Sequence, residues 1–327
     1  MRFNIAFAAL AFSSLCVSAS AQSEPDAKTR EYPTQPVRII VPFPAGGPTD
    51  VLARFLGQHL SQQWRQSVVI ENRPGANSAI GAQQVARSVP DGHTLLMAMD
   101  TTLVMNPIVT KQLSYKPEDF ALISMAAVNT SILVVPANGP KTVQELIEKG
   151  RNNAGKLNYG AGIVPTRLAA FLFNKHAGID AVFVPYKGSS DVVQALLDGS
   201  IDYAVDGIAP HLPLIKDGKL RALAKLNARP LASLPDIEPL QQASGLPGIG
   251  EMSTWVGVVA PAGTPTALVA KINAAVRAAT KDPETEKKLL PLGIVMTSST
   301  PEEFASFVRA EREKWSPIVL ESGVAIN

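Results

Sequence analysis

Short β-branched runs in this chain end repeatedly in loops of Gly, Pro and Ser that lead straight into helix starts. Val37–Val41 runs into the loop 42–48. A helix follows, with Val51, Leu52, Phe55, Leu56 and Leu60 on one stripe. Residues 68–70 lead through the loop 71–77 into a helix that reaches about Ser88, and Thr94–Met99 is a third strand. The middle repeats the theme. After a strand at 131–135, Thr142 and Glu145 have the spacing of a capping box. The strand at 157–160 precedes a helix that stops near Gly178. Ala181–Pro185 precedes a helix running from about Asp191 to near Gly199. Further strands are expected at 202–205, 220–226 and 255–260. A helix capped by Thr264 with Pro265 in its first position follows, then a last helix opened by Thr300 and Glu303, with Phe304, Phe307, Val308 and Trp315 on its buried side. Strands that alternate with helices cannot be joined as hairpins, so the fold class is α/β with mostly parallel sheets.

The N-terminus reads as an address. Arg2 precedes an apolar run over 3–17, and Ala19 and Ala21 supply small residues before an expected cut after Ala21. The run is shorter than the ~20 residues that cross a bilayer. Cys16 raises the lipoprotein alternative, but Leu15 is larger than lipoprotein signals want. Since Cys16 is the single Cys, cleavage would leave no thiol, which suits an oxidising compartment. Residues 22–35 read as a flexible arm. Pro, Ser and Gly collect over 227–250, and the texture also changes near 126–129. Two such crossings suggest a discontinuous first domain (36–127 plus 250–327) with a second (128–249) inserted in it.

Composition narrows the function. Hydrophobic residues make up 46% and charged residues 18%, which excludes a disordered chain. Lys+Arg 30 against Asp+Glu 28 gives no basic excess for nucleic acid. No P-loop, H-E-x-x-H, C-x-x-C or G-x-S-x-G occurs. The G-x-G starts at Gly160 and Gly248 meet Pro165 and Ser253 where a third Gly is needed. His59, His93, His176 and His211 are scattered and read as surface or structural residues. No catalytic residue, metal or cofactor is expected.

The loops carry what chemistry there is. Ligands of open parallel sheets bind beyond the strands' carboxyl ends. There a helix N-terminus offers unsatisfied N–H groups and partial positive charge. In 43–50, Gly46 and Gly47 let a ligand approach the backbone, and Phe43, Ala45 and Thr49 surround them. This is an anion site with no Lys or Arg of its own, suited to a carboxylate. A plain tight turn before a capped helix is the other reading. Asp50 is either a partner of the helix dipole or a ligand contact. The loop with Asn77 and Ser78, Thr101 just past the third strand, the loop 159–167 with Gly162, Thr166 and Arg167, and 186–191 with Tyr186, Gly188 and Ser189 complete the candidates. Small-residue loops in both halves suggest one cleft that closes on its ligand.

These residues resemble the solute-binding proteins of tripartite tricarboxylate transporters, the Bug family of periplasmic receptors. The resemblance runs from about Tyr32 to the C-terminus. Its carriers are Val-Pro-Phe-Pro-Ala-Gly-Gly-Pro-Thr-Asp (41–50), Glu-Asn-Arg-Pro-Gly-Ala (71–76), Pro-Asp-Gly-His-Thr-Leu-Leu (90–96), Gly-Lys-Leu-Asn-Tyr (155–159), Val-Pro-Tyr-Lys-Gly (184–188), Gly-Lys-Leu-Arg-Ala-Leu-Ala (218–224), Leu-Pro-Asp (234–236) and Trp-Val-Gly-Val-Val-Ala-Pro-Ala-Gly-Thr-Pro (255–265). It implies a two-domain periplasmic-binding fold of type II-like form, closing on a small mono- or dicarboxylate. It also implies a monomer in the periplasm, membrane permease subunits as partners, and no catalysis. The first loop would hold a carboxylate through backbone N–H groups, opposed by 160–167, 186–190 and Asp206. Pro48, Asn77, Ser78, Val164 and Arg167 depart from the family's usual residues. Arg167 would either clamp a second acidic group or point outward. A sensor for a membrane signalling partner and an exported α/β hydrolase or isomerase are the rival readings.

Overall fold

The computed structural model of the chain describes residues 31–246 and 252–324. The expected signal segment 1–21, most of the arm 22–35 and part of the Pro/Gly-rich stretch 227–250 lie outside the described residues. Every strand and helix named below belongs to the compact unit Pro33–Asn327.

In Val37–Val41 (β1), Val37, Ile39, Ile40 and Val41 are fully buried, so both faces of the strand are covered beyond Arg38. It leads to α1 (Pro48–Trp64), β2 (Val68–Asn72), α2 (Ala79–Ala86) and β3 (Thr94–Met99). A π-helical turn, Thr101–Met105, and the short α3 (Asn106–Val109) follow, where no element was expected. Then come β4 (Phe120–Asn129), β5 (Ser131–Pro136), α4 (Val143–Asn152), β6 (Leu157–Ala161), α5 (Val164–Ala177), β7 (Ala181–Pro185), α6 (Ser189–Asp198), β8 (Tyr203–Gly207), α7 (Ile208–Lys216), β9 (Leu220–Lys225) and α8 (Leu240–Ser244). The chain ends with β10 (Thr254–Pro261), α9 (Thr266–Ala279), α10 (Pro283–Leu289), β11 (Ile294–Met296) and α11 (Pro301–Ser322).

The strands form two sheets, in the orders β11-β4-β10-β3-β1-β2 and β7-β6-β8-β5-β9. Both are mixed, which corrects the expectation of mostly parallel sheets. β1 pairs β2 and β3 in parallel, and β6 pairs β7 and β8 in parallel. β10 runs antiparallel to β3 and β4, and β5 runs antiparallel to β8 and β9. The strands that return the chain from one sheet to the other enter against the local direction. This is a fact of long-range pairing that a βαβ pattern does not contain.

The stretch 126–129, expected as a linker, is the end of β4. The chain passes between sheets at one buried residue, Thr130, whose N–H donates to Gly293 O at 2.8 Å and whose carbonyl accepts from Ile208 N at 3.2 Å. The return path runs beside it. There Asn227 Nδ2 donates to Ser253 Oγ at 3.0 Å and to Thr130 Oγ1 at 3.4 Å. The C-terminal helix docks on the first sheet through aromatic packing, with Trp255 edge-on to Phe304 at 5.6 Å. Gly257 makes room for the Phe304 ring, which a Cβ there would strike.

Most caps fall as the sequence indicates. Thr142 Oγ1 accepts from Glu145 N at 3.1 Å, and Thr300 with Glu303 forms a complete capping box. Gly178 and Gly199 close α5 and α6 in the left-handed conformation. Gly150 lies inside α4, where it lets Ile179 pack against the helix. Thr264 is not the cap of α9: Pro265 holds that position, and the Thr264 hydroxyl donates to Pro261 O at 2.7 Å.

Candidate functional site

The carboxyl ends of β1, β6, β7 and β8 each feed a helix, and the N-termini of those four helices line one cavity of about 270 Å³. From β1–α1 come residues 43–49. From β6–α5 come Ile163 and Thr166, from β7–α6 residues 187–190, and from β8–α7 Asp206, Gly207 and Pro210. Met99, Asn129, Ser131 and Thr254, at strand ends beside the crossings, complete the wall. Such a volume suits a small solute.

The first loop is braced from behind. Gly46 has φ +82°, and its N–H donates to Asp50 Oδ2 at 2.9 Å. The same oxygen accepts from Arg54 Nε at 3.0 Å, and Asp50 Oδ1 accepts from Asn72 Nδ2 at 3.0 Å. Asn72 also donates to Phe43 O at 3.1 Å. Burial works to raise the Asp50 pKa, but the bonds from Arg54, Gly46 and Asn72 outweigh it and hold the carboxyl below its usual range. Asp50 therefore spends its charge on the loop and does not line the cavity. Thr49 does line it, with its hydroxyl 3.1 Å from Met99 Sδ.

The opposite loops brace one another. A Cβ on Gly162 would lie 2.7 Å from Gly188 C and 2.8 Å from Ser189 N, so only Gly permits the two loops to touch. Gly188, the N-cap of α6, lines the cavity and has open space around its Cβ position. Tyr186 lies with its ring over Gly160. Asp206 ends β8, with Oδ1 accepting from Ser189 Oγ at 2.9 Å and from Gly207 N at 2.8 Å.

Of the candidates, Phe43, Ala45, Gly46, Gly47, Thr49, Thr166, Gly188, Ser189 and Asp206 line the cavity, and the rest stand elsewhere. Gly162 and Tyr186 hold the loops behind it. Asn77, Ser78 and Thr101 belong to a separate buttress after β2 and β3. There Ser78 Oγ lies 2.9 Å from Thr102 Oγ1, Asn106 Nδ2 donates to Asn77 O at 2.6 Å, and Thr101 N donates to Asp100 Oδ1 at 2.6 Å. Arg167 follows Thr166 by one residue, about 100° around the helix. Its guanidinium lies 4.1 Å from the centroid of the Phe183 ring, not in the cavity wall. Burial lowers its pKa, with Tyr159 acting the other way. The reading of Arg167 as an acid clamp thus gives way to cation–π packing.

Lys187, which is exposed and lines the cavity between Tyr186 and Gly188 in the same loop motif, is not among the expected site residues. Nor are Met99, Asn129, Ser131 and Thr254. Their position at strand ends is the signal that could have found them. Among the described residues, no group of three His, Cys, Asp or Glu is placed to hold a metal, and no helix is long and apolar enough to cross a membrane.

Comparison with known proteins identifies the family and the fold. The family model described as the tripartite tricarboxylate transporter family receptor matches residues 52–324. A protein encoded in the tcbD–tcbE intergenic region of Pseudomonas sp. (strain P51) is 34% identical over 300 residues, covering 90% of this chain and 89% of that one. Protein BugT of Bordetella pertussis is 30% identical over 301 residues, covering 90% of this chain and 92% of its own. Among solved structures, Rpa4515 of R. palustris with adipate is 32% identical with a TM-score of 0.85, over 90% of this chain and 99% of that one. MatC (Rpa3494) from Rhodopseudomonas palustris with bound malate is 29% identical with a TM-score of 0.79, over 88% of this chain and 100% of that one.

Proposed function

This chain belongs to the tripartite tricarboxylate transporter family of receptors, and from that premise we propose that it is a periplasmic receptor that closes on a small organic acid without transforming it. The observation that carries this reading is the convergence of four helix N-termini on one small cavity. Each terminus presents N–H groups that have no partner within the helix, together with partial positive charge. The α1 terminus, from Gly47 to Thr49, takes one carboxylate through main-chain N–H groups. The α5 and α6 termini, through Thr166, Gly188 and Ser189, close on the remainder, while the Gly207 N–H at the α7 terminus is held by Asp206. Lys187 adds positive charge at the rim.

Two lobes, 36–127 with 250–327 and 128–249, move about the paired crossings at Thr130 and Asn227. As a monomer, the receptor hands its solute to the membrane permease subunits of a tripartite transporter. Adipate and malate, bound by related proteins, are the first ligands to try.

The test is a thermal-shift screen of the purified protein against mono- and dicarboxylic acids, their neutral amides, and amines. Acids should raise the melting temperature and their amides should not. At a hundredfold excess over Kd the gain is about 2.7 kcal/mol. Stabilisation by amides or amines alone contradicts the reading.

A further inference from the structure

Asp206 places a carboxyl group in the wall of a cavity that is to receive anions, and it is only 2% exposed. Oδ1 is satisfied by Ser189 and Gly207, but Oδ2 has no hydrogen-bond partner. It lies 3.8 Å from Nε2 of His211, which is itself fully buried and has no hydrogen-bond partner at that atom. The other ring nitrogen, Nδ1, lies 3.0 Å from Gly207 O. A carbonyl oxygen only accepts, so Nδ1 carries the proton, and in a neutral ring Nε2 presents a lone pair. An ionised Asp206 would then point lone pairs at a lone pair inside the protein, with no side chain hydrogen-bonded to either atom. One additional proton, on Oδ2 or on Nε2, turns that repulsion into an attraction.

Among the described residues, no neighbouring side chain donates a hydrogen bond to either atom. Ile132 of β5 stands opposite Asp206 in the sheet register and is apolar. Lys225 of β9 is one strand further along the same row. Lys187 lines the same cavity, and Asp191 at the start of α6 accepts from the Lys187 N–H at 3.3 Å. Lys216 stands at the far end of α7. Burial pushes the Asp206 carboxyl above its usual range, partly opposed by His211, the Gly207 N–H and Ser189.

We propose that Asp206 and His211 share a single proton and together set the charge preference of the cavity: with the proton this wall is neutral and admits an acidic solute, and without it the wall is a fixed anion that repels one. This inference rests on the carboxylate-receptor reading, and it makes binding of the acid a proton-linked event.

The test has two arms on the purified protein. In the first, carboxyl ¹³C and imidazole ¹⁵N NMR of the ligand-free protein at pH 7 locate the proton, with signals assigned through Asp206→Asn and His211→Gln. A protonated Asp206 or a doubly protonated His211 supports the shared proton. An ionised Asp206 beside a neutral His211 overturns it. In the second arm, adipate affinity is measured by calorimetry from pH 6 to pH 9. The expected result is a loss with rising pH that approaches tenfold per pH unit, the limit for one proton. That slope should vanish in Asp206→Asn. The same slope in both proteins overturns the proposal. If neither adipate nor any other acid binds at any pH, the receptor reading fails, while the NMR arm still decides the pair.

Discussion

Replacing Gly162 by Ala separates the bracing of the site from its ligand contacts, because the two opposing loops meet there with no room for a methyl group. The new Cβ would sit 2.7 Å from Gly188 C and 2.8 Å from Ser189 N, where ordinary contact begins at 3.4 Å. Both neighbours are backbone, so the loop before α6 must retreat by several tenths of an ångström. Overpacking of this kind costs about 1–3 kcal/mol, which lowers the melting temperature by a few degrees in a chain of this size. The same retreat moves Gly188 and Ser189 out of the cavity wall, so adipate affinity should fall with stability. Gly188→Ala is the contrast. Its backbone is extended, with φ 173°, and nothing lies within 4 Å of the new Cβ. Stability should stay within about 0.5 kcal/mol of the parent. Affinity should fall ten- to hundredfold, the equivalent of about 1–3 kcal/mol for a lost close approach to a donor. Chemical denaturation and calorimetry read the two quantities separately. A Gly162→Ala protein with parental stability and parental affinity would refute the loop-against-loop arrangement.

Three further outcomes are expected. Asp100 is buried and pushed up to about 8 by that burial, with the Thr101 N–H opposing and Glu311 adding to the rise. Between its ordinary 3.8 and about 8, the folded chain holds a proton that the unfolded chain does not, so stability falls as pH rises through that window, by up to about 1.4 kcal/mol per pH unit. Denaturation curves at pH 5 and pH 8 should show Asp100→Asn losing this share of the slope, and an unchanged slope contradicts the assignment. Asp50→Ala frees Gly46, Asn72 and Arg54 from their shared acceptor. Adipate affinity should drop at least tenfold with about 1–3 kcal/mol of stability, and unaltered affinity would mean that the first loop does not need its brace. Gly257→Ala drives a methyl group into the Phe304 ring and should destabilise the docking of α11, seen as faster amide exchange in that helix before the rest of the chain.

The parts of the fold that are local in cause were legible in the residues. β1 and β3 are bounded by turn residues, and the caps at Thr142 and Thr300 are set by side chains three positions apart. The parts set by distant pairing were not. Residues 126–129 read as a linker because two alanines and an asparagine are weak strand formers, yet pairing with β10 and β11 makes them a strand. The sheets are mixed for the same reason, since direction is decided where β10 and β5 find their neighbours. At the site, the glycine loops were legible because a close approach to backbone needs small residues in sequence. The orientation of Arg167 was not, because its partner Phe183 stands on β7, beyond the end of the helix that carries Arg167. The role of Asp50 was half legible: its place in the first turn of a helix was visible, but its three partners were not. Asp206 was reached only through the family resemblance, and its neighbour His211 looked inert until the fold buried both.

The most direct measurement is a crystal structure with the acid that stabilises the protein most. A main-chain anion site predicts a carboxylate oxygen within hydrogen-bond distance, about 2.7–3.2 Å, of the backbone nitrogens of Gly47 or Thr49, with the α6 terminus closed over the other end. A carboxylate held by Lys187 Nζ, with no main-chain N–H in reach, would contradict it.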